Sequence, residues 1–361
     1  MGTEVDEPAA RESTVALAAA PSLIPSRELG RVTIGDVARA AGVSIPTVSK
    51  VINRRYGVAE ETSKRVLEVV AMLGYESSLV ASSLRRRRTN VIGILVAEFE
   101  SFSAELLKGI SAAAIGTGYE LLAYSGLATG EDRTGWEHRS LSRLAGTLID
   151  GAIIVTPTVL MPTTSIPAIA IDPHSGPGGP STIDSDSTGG ARVATEHLIG
   201  LGHRRIAHIR GRGDLASAQL RESGYRDSLE AAGIDFDPTL VREGGYQAAL
   251  TEAATRELLT LRNRPTAVFA ANDMSAISVL NVARELGLRV PQDLSVIGFD
   301  DIPEAARSTP PLTTVAQPLH ELGAQALGML IRRLDGQEVP RHVQLPTELV
   351  IRSSTGPAPA R

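Results

Sequence analysis

Near the N-terminus, two short amphipathic segments lie on either side of a glycine, and this arrangement restricts the local fold to two steeply crossed helices. Their apolar residues recur at helical spacing, at Ile34, Val37, Ala38, Ala41, Val48, Val51 and Ile52. Thr33 and Asp36 form a capping-box pattern at the start of the first helix. Gly42 can adopt the left-handed conformation that ends this helix, so a tight turn is expected there.

The second helix is expected to begin at Ser44, with a proline in its first turn. Because Pro46 has no N–H, the Ser44 hydroxyl is expected to accept a hydrogen bond from the Thr47 amide. Two helices joined by so short a turn form a helix-turn-helix, whose second helix enters the major groove of DNA. An ordinary helical hairpin within a small core is the alternative interpretation of this pair alone.

The outward face of the second helix carries the residues predicted to contact DNA. Lys50 can reach a guanine or a phosphate, whereas Ile45 and Pro46 offer only apolar contact, for instance to a thymine methyl group. The polar residues are expected to bind phosphates and set the register, namely Thr47, Ser49 and Asn53.

A third helix is predicted from Ala59 to Leu73, with Gly74 just past its end. Its buried stripe is expected to comprise Val66, Leu67, Val70 and Leu73. With this helix included, the chain resembles the lactose-repressor (LacI/GalR) family of bacterial transcription regulators. The resemblance is carried by T-I-G-D-V-A-R-A-A-G-V-S-x-x-T-V-S-K-V-I-N, followed by A-E-E-T-x-x-R-V and L-G-Y. The resemblance continues to about residue 355 and implies an all-α helix-turn-helix DNA-binding domain followed by an α/β, two-lobed effector domain that resembles periplasmic binding proteins.

The expected domains are a disordered extension (1–30), the DNA-binding domain (31–76), a hinge helix and linker (77–90), a two-lobed effector-binding and dimerisation domain (91–355) and a tail (356–361). In the resembled family the hinge helix folds only on operator DNA and wedges a leucine into the minor groove, a position that Leu84 occupies here. Ala81 also matches the family pattern. Arg85 begins a run of four arginines that is expected to neutralise phosphates, and a solvated linker is the alternative. The predicted DNA-binding residues are therefore Thr33, Ser44, Ile45, Pro46, Thr47, Ser49, Lys50, Asn53, Ala81, Leu84 and Arg85.

Composition limits the remaining classes of function. The 361 residues carry a net charge of −5, so DNA binding requires a local basic patch. There is no cysteine, which excludes disulfides and cysteine-based metal sites. No apolar run approaches membrane-spanning length, and the N-terminus lacks the basic region of a secretory signal, so a cytoplasmic protein without membrane attachment is expected.

From Val91 onward, strand-like and helix-like segments alternate, and the pattern restarts after a Gly/Pro-rich loop at 173–181. Such alternation predicts parallel sheets, and two runs of it predict two doubly wound lobes. Polar residues follow several predicted strands, at Asp172, Asn272, Asp273, Asp300 and Asp301. Ligands bind at the carboxyl ends of such strands, although a single Asp there is more often a turn or a helix cap.

The resemblance assigns effector-binding roles to residues in these segments. Arg221 matches an arginine whose planar fork binds vicinal hydroxyls or a carboxylate. The positions that match groups binding ligand hydroxyls are Asp172, Asn272 and Asp300. Tyr246 falls where a ring can stack on a sugar, and Phe102 and Asp186 are further candidates. Each of these three has an alternative: Phe102 as core, Asp186 as a helix cap and Tyr246 as surface packing.

The predicted function is a homodimeric repressor that binds double-stranded operator DNA and is released by a small neutral sugar. Acidic groups favour a neutral polyhydroxy ligand because carboxylates accept hydroxyl protons and repel anions. A regulator that responds to a purine or phosphosugar co-repressor is the alternative, and a sugar-binding transport module or a cytosolic enzyme are the other classes. No catalytic or metal-binding motif is present, so neither an enzyme nor a metal or other cofactor is expected.

Overall fold

The computed structural model describes residues 32–52, 55–75, 88–126, 135–160, 164–174 and 179–360. The chain divides into two compact units, Met1–Ser78 and Leu79–Arg361. The predicted extension at 1–30 and most of the predicted hinge, with Ala81, Leu84 and Arg85, lie outside the described residues.

The first unit contains α1 (Ile34–Ala41), α2 (Ile45–Ile52) and α3 (Glu60–Leu73). The capping box forms as predicted: the Asp36 amide donates to the Thr33 hydroxyl (3.3 Å), and the Thr33 amide donates to the Asp36 carboxylate (2.9 Å). Gly42, with φ of 65°, and Gly74, with φ of 61°, take the left-handed conformation that ends α1 and α3. Glycine is suited to both positions because it has no Cβ to clash in this region.

The core of the first unit consists of small apolar side chains from all three helices, namely Val37, Ala38, Ala41, Val48, Val51, Val66 and Val69. The prediction for α3 was wrong in one position: Leu67 is 53% exposed, and Val69 is buried instead. Successive residues on an α-helix are about 100° apart, so Leu67 follows Val66 around the helix and away from the core, whereas Val69 returns to the same side.

The second unit alternates strands with helices. In chain order its elements are β1 (Val91–Val96), α4 (Ser101–Ala114), β2 (Glu120–Ser125), α5 (Trp136–Leu144), β3 (Gly151–Val155), β4 (Ala168–Ile171), β5 (Ser181–Ser185), α6 (Ser187–Gly200), β6 (Ile206–Arg210), α7 (Ala216–Ala231), a 3-10 helix (Pro238–Leu240), β7 (Val241–Glu243), α8 (Ala248–Leu259), β8 (Ala267–Ala270), α9 (Asp273–Glu285), β9 (Ser295–Asp300), α10 (Pro303–Arg307), β10 (Thr313–Ala316), α11 (Leu319–Leu334), β11 (His342–Leu345) and β12 (Glu348–Val350).

These strands form two sheets, as predicted, and each sheet is the centre of one lobe. The first has the order β11-β5-β4-β3-β1-β2 and is parallel throughout; the second has the order β12-β10-β9-β8-β6-β7, in which β12 alone of these strands is antiparallel. Helices cover both faces of the first sheet, so β1 is buried along its whole length: Ile92 packs with α4 and α11, and Leu95 packs with α5 on the other face.

The chain passes from one lobe to the other at three places, each between two consecutive elements that belong to different lobes. The crossings lie at Asp186, at 317–318 and at 346–347. The first and third crossings are bonded to each other, because the Asp186 amide donates to the Leu345 carbonyl (2.9 Å) and the Thr347 hydroxyl donates to the Asp186 carbonyl (3.3 Å). The folded chain also extends past the predicted boundary at 355, since the Ala358 amide donates to the Leu201 carbonyl (2.9 Å).

Two glycines allow α4 and α11 to pack closely in the first lobe. A Cβ on Gly109 would lie 2.1 Å from the His320 carbonyl oxygen, and a Cβ on Gly323 would lie 2.4 Å from the Leu106 carbonyl oxygen. Both contacts involve backbone atoms, which cannot move aside as a side chain would. Close approach of the two helices therefore requires glycine at both positions.

Gly323 and Gly328 lie on the same helix and give a matched pair of stability predictions. A Cβ on Gly328 meets nothing within 4 Å, so Gly328→Ala is expected to stabilise the protein by about 0.4–1 kcal/mol by lowering the entropy of the unfolded chain. Gly323→Ala is expected to destabilise it by about 1–3 kcal/mol because the two helices must separate. Thermal unfolding of the two variants measures both effects, and equal shifts in Tm would contradict the close helix contact.

Candidate DNA-binding surface and effector cleft

The start of α2 shows the predicted local bonding. The Thr47 amide points at the Ser44 hydroxyl at 3.4 Å, and the two hydroxyl groups are 2.8 Å apart. Ile45, Pro46 and Lys50 are exposed, while Thr47 and Ser49 are half-buried beside the core residues. One face of α2 is thus free of the core of the first unit and carries the predicted base-contacting residues.

The other predicted DNA-binding residues are placed differently. The Thr33 hydroxyl donates to the Asp36 carboxylate (2.7 Å), so it is part of the cap of α1. Asn53 lies outside the described residues, as do the hinge positions.

A cavity of about 910 Å³, including its open mouth, lies between the two lobes of the second unit. Most of its wall is formed where strands of both sheets end, which is where ligands bind in α/β folds. It is lined by Ala97, Glu98, Glu100, Phe102, Trp136, Thr156, Thr158, Asp172, His174, Arg212, Leu215, Ser217, Arg221, Gly245, Tyr246, Asn272 and Asp300. Six predicted effector-binding residues are brought together in this wall, namely Phe102, Asp172, Arg221, Tyr246, Asn272 and Asp300.

Asp186, the seventh predicted residue, does not line the cavity. Its carboxylate accepts a hydrogen bond from the Gly189 amide (2.8 Å) and caps the N-terminus of α6 at the first crossing between the lobes. Asp186 is therefore a helix cap, the alternative given for it above, and not a residue of the cavity wall.

Arg221 is the most constrained side chain of the cavity wall. It is 3% exposed, its guanidinium carbon lies 3.8 Å from the centre of the Phe299 ring, and its Nη1 donates to the Ala271 carbonyl (2.5 Å). Nη1 also lies 3.7 Å from Oδ1 of Asp300. A guanidinium held by a ring, a carbonyl and a carboxylate is pre-organised, so binding a ligand costs it little further entropy.

Burial governs the ionisation of the groups beside Arg221. Burial raises the pKa of Asp300 to about 7, although the charge of Arg221 and a hydrogen bond from Gln317 counteract part of this rise. Burial lowers the pKa of His174, so this ring is neutral at pH 7 and can donate or accept a hydrogen bond. Its Nδ1 lies 3.5 Å from the Ser217 hydroxyl of the other lobe.

Two cavity-lining residues carry buried N–H donors that have no hydrogen-bond partner among the described residues. They are the indole Nε1 of Trp136 and the guanidinium Nε of Arg221. An unpaired buried donor costs free energy of about 1–3 kcal/mol, which a ligand that supplies acceptors recovers. The wall is therefore better suited to a bound ligand than to an empty cavity.

Backbone strain is also concentrated in this wall. Four of its non-glycine residues have positive φ: Thr156 (49°), Asp172 (49°), Tyr246 (60°) and Asp300 (118°). Such conformations cost about 1–3 kcal/mol each and cluster at binding sites, where the surrounding structure holds them.

Several lining residues were not predicted from the sequence. Thr156 directly follows β3, and Glu98 comes two residues after β1, so the strand-end rule that found Asp172 could have found them. Trp136 is the first residue of α5 and His174 comes three residues after β4, and no sequence pattern predicts that either side chain lines the cleft.

Comparison with known proteins identifies the family. The family model described as "Bacterial regulatory proteins, lacI family" matches residues 33–78, and that of the "Periplasmic binding protein-like domain" matches residues 195–355. The HTH-type transcriptional repressor PurR of Aliivibrio fischeri (strain MJ11) is 37% identical over 336 residues, which cover 89% of this chain and 98% of that protein. The chain belongs to the LacI family of bacterial regulators.

Other LacI-family proteins resemble it to a similar degree. The HTH-type transcriptional regulator CelR of Thermobifida fusca is 36% identical over 90% of this chain and 98% of its own length. Among solved structures, a CelR–cellobiose complex covers 90% of this chain and 100% of its own, with 33% identity and a TM-score of 0.66. The lac repressor dimer bound to operator and the anti-inducer ONPF covers 91% and 100%, with 30% identity and a TM-score of 0.77.

Family membership settles the general role of the chain. It is a DNA-binding transcriptional regulator with a helix-turn-helix and a two-lobed periplasmic-binding-protein-like domain, and these relatives are regulators rather than enzymes. No helix within the described ranges combines the length and apolarity needed to cross a bilayer.

Proposed function

We propose that this LacI-family regulator is a dimeric repressor that a small neutral sugar, bound between the lobes, releases from its operator. The exposed face of α2 would read the major groove, and the hinge segment with Ala81, Leu84 and Arg85 would contact the minor groove and adjacent phosphates. Two-fold symmetry suits a palindromic operator, and the related lac repressor was solved as a dimer on its operator.

The observation that carries the sugar assignment is the charge pattern of the cleft. Four carboxylates line it, and only two guanidinium groups do. Both arginines already have carboxylate partners: Arg212 lies 2.6 Å from Asp214, and Arg221 lies 3.7 Å from Asp300. A phosphosugar would therefore meet more carboxylates than guanidinium groups in the described wall, whereas hydroxyl groups can donate to the carboxylates.

The unpaired donors complete the match to a sugar. Trp136 and Arg221 offer N–H groups that suit the ring, hydroxyl and glycosidic oxygens of a carbohydrate. The rings of Phe102 and Trp136 add apolar surface for the carbon-bound face of a sugar. The relative CelR was solved with cellobiose, which makes a disaccharide the first candidate to test.

A purine co-repressor is the second candidate. The relative of Aliivibrio fischeri with 37% identity is named PurR, and the aromatic side chains of the cleft could stack on a flat base. A co-repressor would strengthen operator binding, so the two candidates predict opposite signs of the effect on DNA.

Trp136 provides a direct test because it is the only tryptophan of the chain, is fully buried and lines the cleft. Titration of the full-length protein with cellobiose and other neutral sugars is expected to change its emission saturably with at least one of them. Glucose 6-phosphate, hypoxanthine and guanine serve as the competing classes. In Trp136→Phe the signal should disappear. A saturable change with a purine or phosphosugar alone would refute the neutral-sugar proposal.

A further inference from the structure

The side chain of Gln317 lies where the effector cleft meets the crossings between the lobes. Gln317 is 6% exposed and immediately follows β10, at the point where the chain leaves the second lobe for the first. Ser185 is the last residue of β5, directly before the first crossing at Asp186. Two of the three crossings thus meet at this glutamine.

Gln317 makes two side-chain hydrogen bonds of opposite polarity. Its Nε2 donates to Oδ1 of Asp300 (2.7 Å), and its Oε1 accepts a hydrogen bond from the Ser185 hydroxyl. An ionised carboxylate can only accept hydrogen bonds, so while Asp300 is ionised the amide turns its nitrogen toward Asp300 and its oxygen toward the serine hydroxyl.

We propose that Gln317 is the positioning residue that orients the Asp300 carboxylate in the cleft and ties it to the crossings at Ser185 and 317–318. The assignment rests on the cleft being the effector site, as proposed above. Asp300 and Gln317 lie at the ends of the paired strands β9 and β10 of the second lobe, whereas Ser185 ends β5 of the first lobe. A movement of the lobes therefore changes the Ser185–Gln317 bond, and through it the amide that orients Asp300. Gln317 thereby connects effector binding to the lobe arrangement.

The pKa of Asp300 depends on its hydrogen bond with Gln317, so a change in this pKa reveals the loss of the bond. The hydrogen bond from Gln317 favours the ionised carboxylate, so its loss is expected to raise the pKa of Asp300 further. Other charged groups also act on Asp300: Arg221 on α7, Glu100 and Asp172 in the first lobe, and Asp273 on α9. Asp300→Asn perturbs these groups in the same way whether residue 317 is Gln or Met, so the difference between the two comparisons below isolates the effect of Gln317 on Asp300.

The pH dependence of thermal unfolding gives the test, and it requires no effector. Because the pKa of Asp300 is raised from about 3.9 in the unfolded chain to about 7 in the folded protein, its protonation stabilises the fold at low pH. This stabilisation is lost as pH rises toward 7 and is absent above it. The Tm difference between the natural chain and Asp300→Asn is therefore expected to fall between pH 5 and 7 and to become constant above pH 7.

In Gln317→Met, which keeps the length of the side chain but makes neither bond, the constant region is expected to begin about one pH unit higher. In this case the Tm difference is taken between Gln317→Met and the double variant Gln317→Met/Asp300→Asn. Ser185→Ala should shift the pH at which the Tm difference becomes constant in the same direction but by less. In this variant Gln317 keeps its amide and loses only the hydrogen bond from Ser185. This second variant also covers the case in which Gln317→Met folds poorly.

A glutamine that only fills space would lower Tm equally at every pH and leave the onset of the constant region at its original pH in both variants. That result would overturn the positioning role. A failure of all sugars to bind would refute the proposed function instead, and it would leave these unfolding curves unaffected.

Discussion

Arg221→Ala is expected to weaken effector binding by about 100-fold and to leave operator binding unchanged, which gives a repressor that does not respond to its effector. The guanidinium is held by the Ala271 carbonyl, the Phe299 ring and Asp300, and its Nε is a buried donor without a partner among the described residues. Loss of two charge-assisted hydrogen bonds to a ligand accounts for an effect of this size. Titration of Trp136 emission and operator anisotropy measure the two affinities.

Arg226→Ala is the matched control for this prediction. Arg226 lies on the same helix, α7, and its guanidinium carbon also lies 3.8 Å from the centre of a phenylalanine ring, that of Phe236, but it does not line the cleft. It is expected to bind effector normally. Equal losses in the two variants would show a general effect on α7, and normal binding by Arg221→Ala would remove the cleft assignment.

Lys50→Ala is expected to show the opposite pattern: operator affinity falls by ~10- to 100-fold, and effector affinity stays the same. Lys50 lies on the exposed face of α2, and its unit is compact by itself. If Lys50 contacts a guanine, the variant loses preference at one base-pair position. If it contacts a phosphate, affinity falls for all sequences and the slope of log K against log salt decreases in magnitude by about 0.9.

Arg39→Ala separates the role of Lys50 from a general loss of positive charge. Arg39 is an exposed cation on α1 that pairs with Asp36 of the same helix. Its removal is expected to change operator affinity far less than removal of Lys50. Similar losses in both variants would mean that α2 is not the recognition helix of this regulator.

The sequence was most informative where a local rule decides the structure. Capping by Thr33 and left-handed Gly42 follow from neighbouring residues alone, so α1 and its turn were predicted correctly. The strands β5 and β11 contain no apolar run from which a strand could be predicted, because their sequences S-T-I-D-S and H-V-Q-L are rich in polar residues. They pair with each other in the first sheet. Leu67 was assigned to the wrong face because a helix stripe read from sequence is uncertain by one residue.

The cleft was predictable to the extent that strand ends define it. Asp172, Asn272 and Asp300 converge because parallel strands of each sheet end at one edge. The same reasoning could not predict that Trp136 lines the cleft, since its position depends on the fold of the first lobe. It also could not separate Asp186, a helix cap at a crossing, from aspartates that face the cavity. No sequence pattern indicated Gln317, because its proposed role depends on where the folded chain passes between the lobes.

The most direct measurement is the coupling between the two sites in one sample of the full-length chain. A labelled palindromic operator, selected from random DNA by the protein itself, is followed by anisotropy while a neutral sugar that changes Trp136 emission is added. The sugar is expected to weaken operator binding by a factor of roughly 5–150, and the operator must weaken sugar binding by the same factor. A sugar that saturates the cleft and leaves operator affinity unchanged would contradict the proposed repressor.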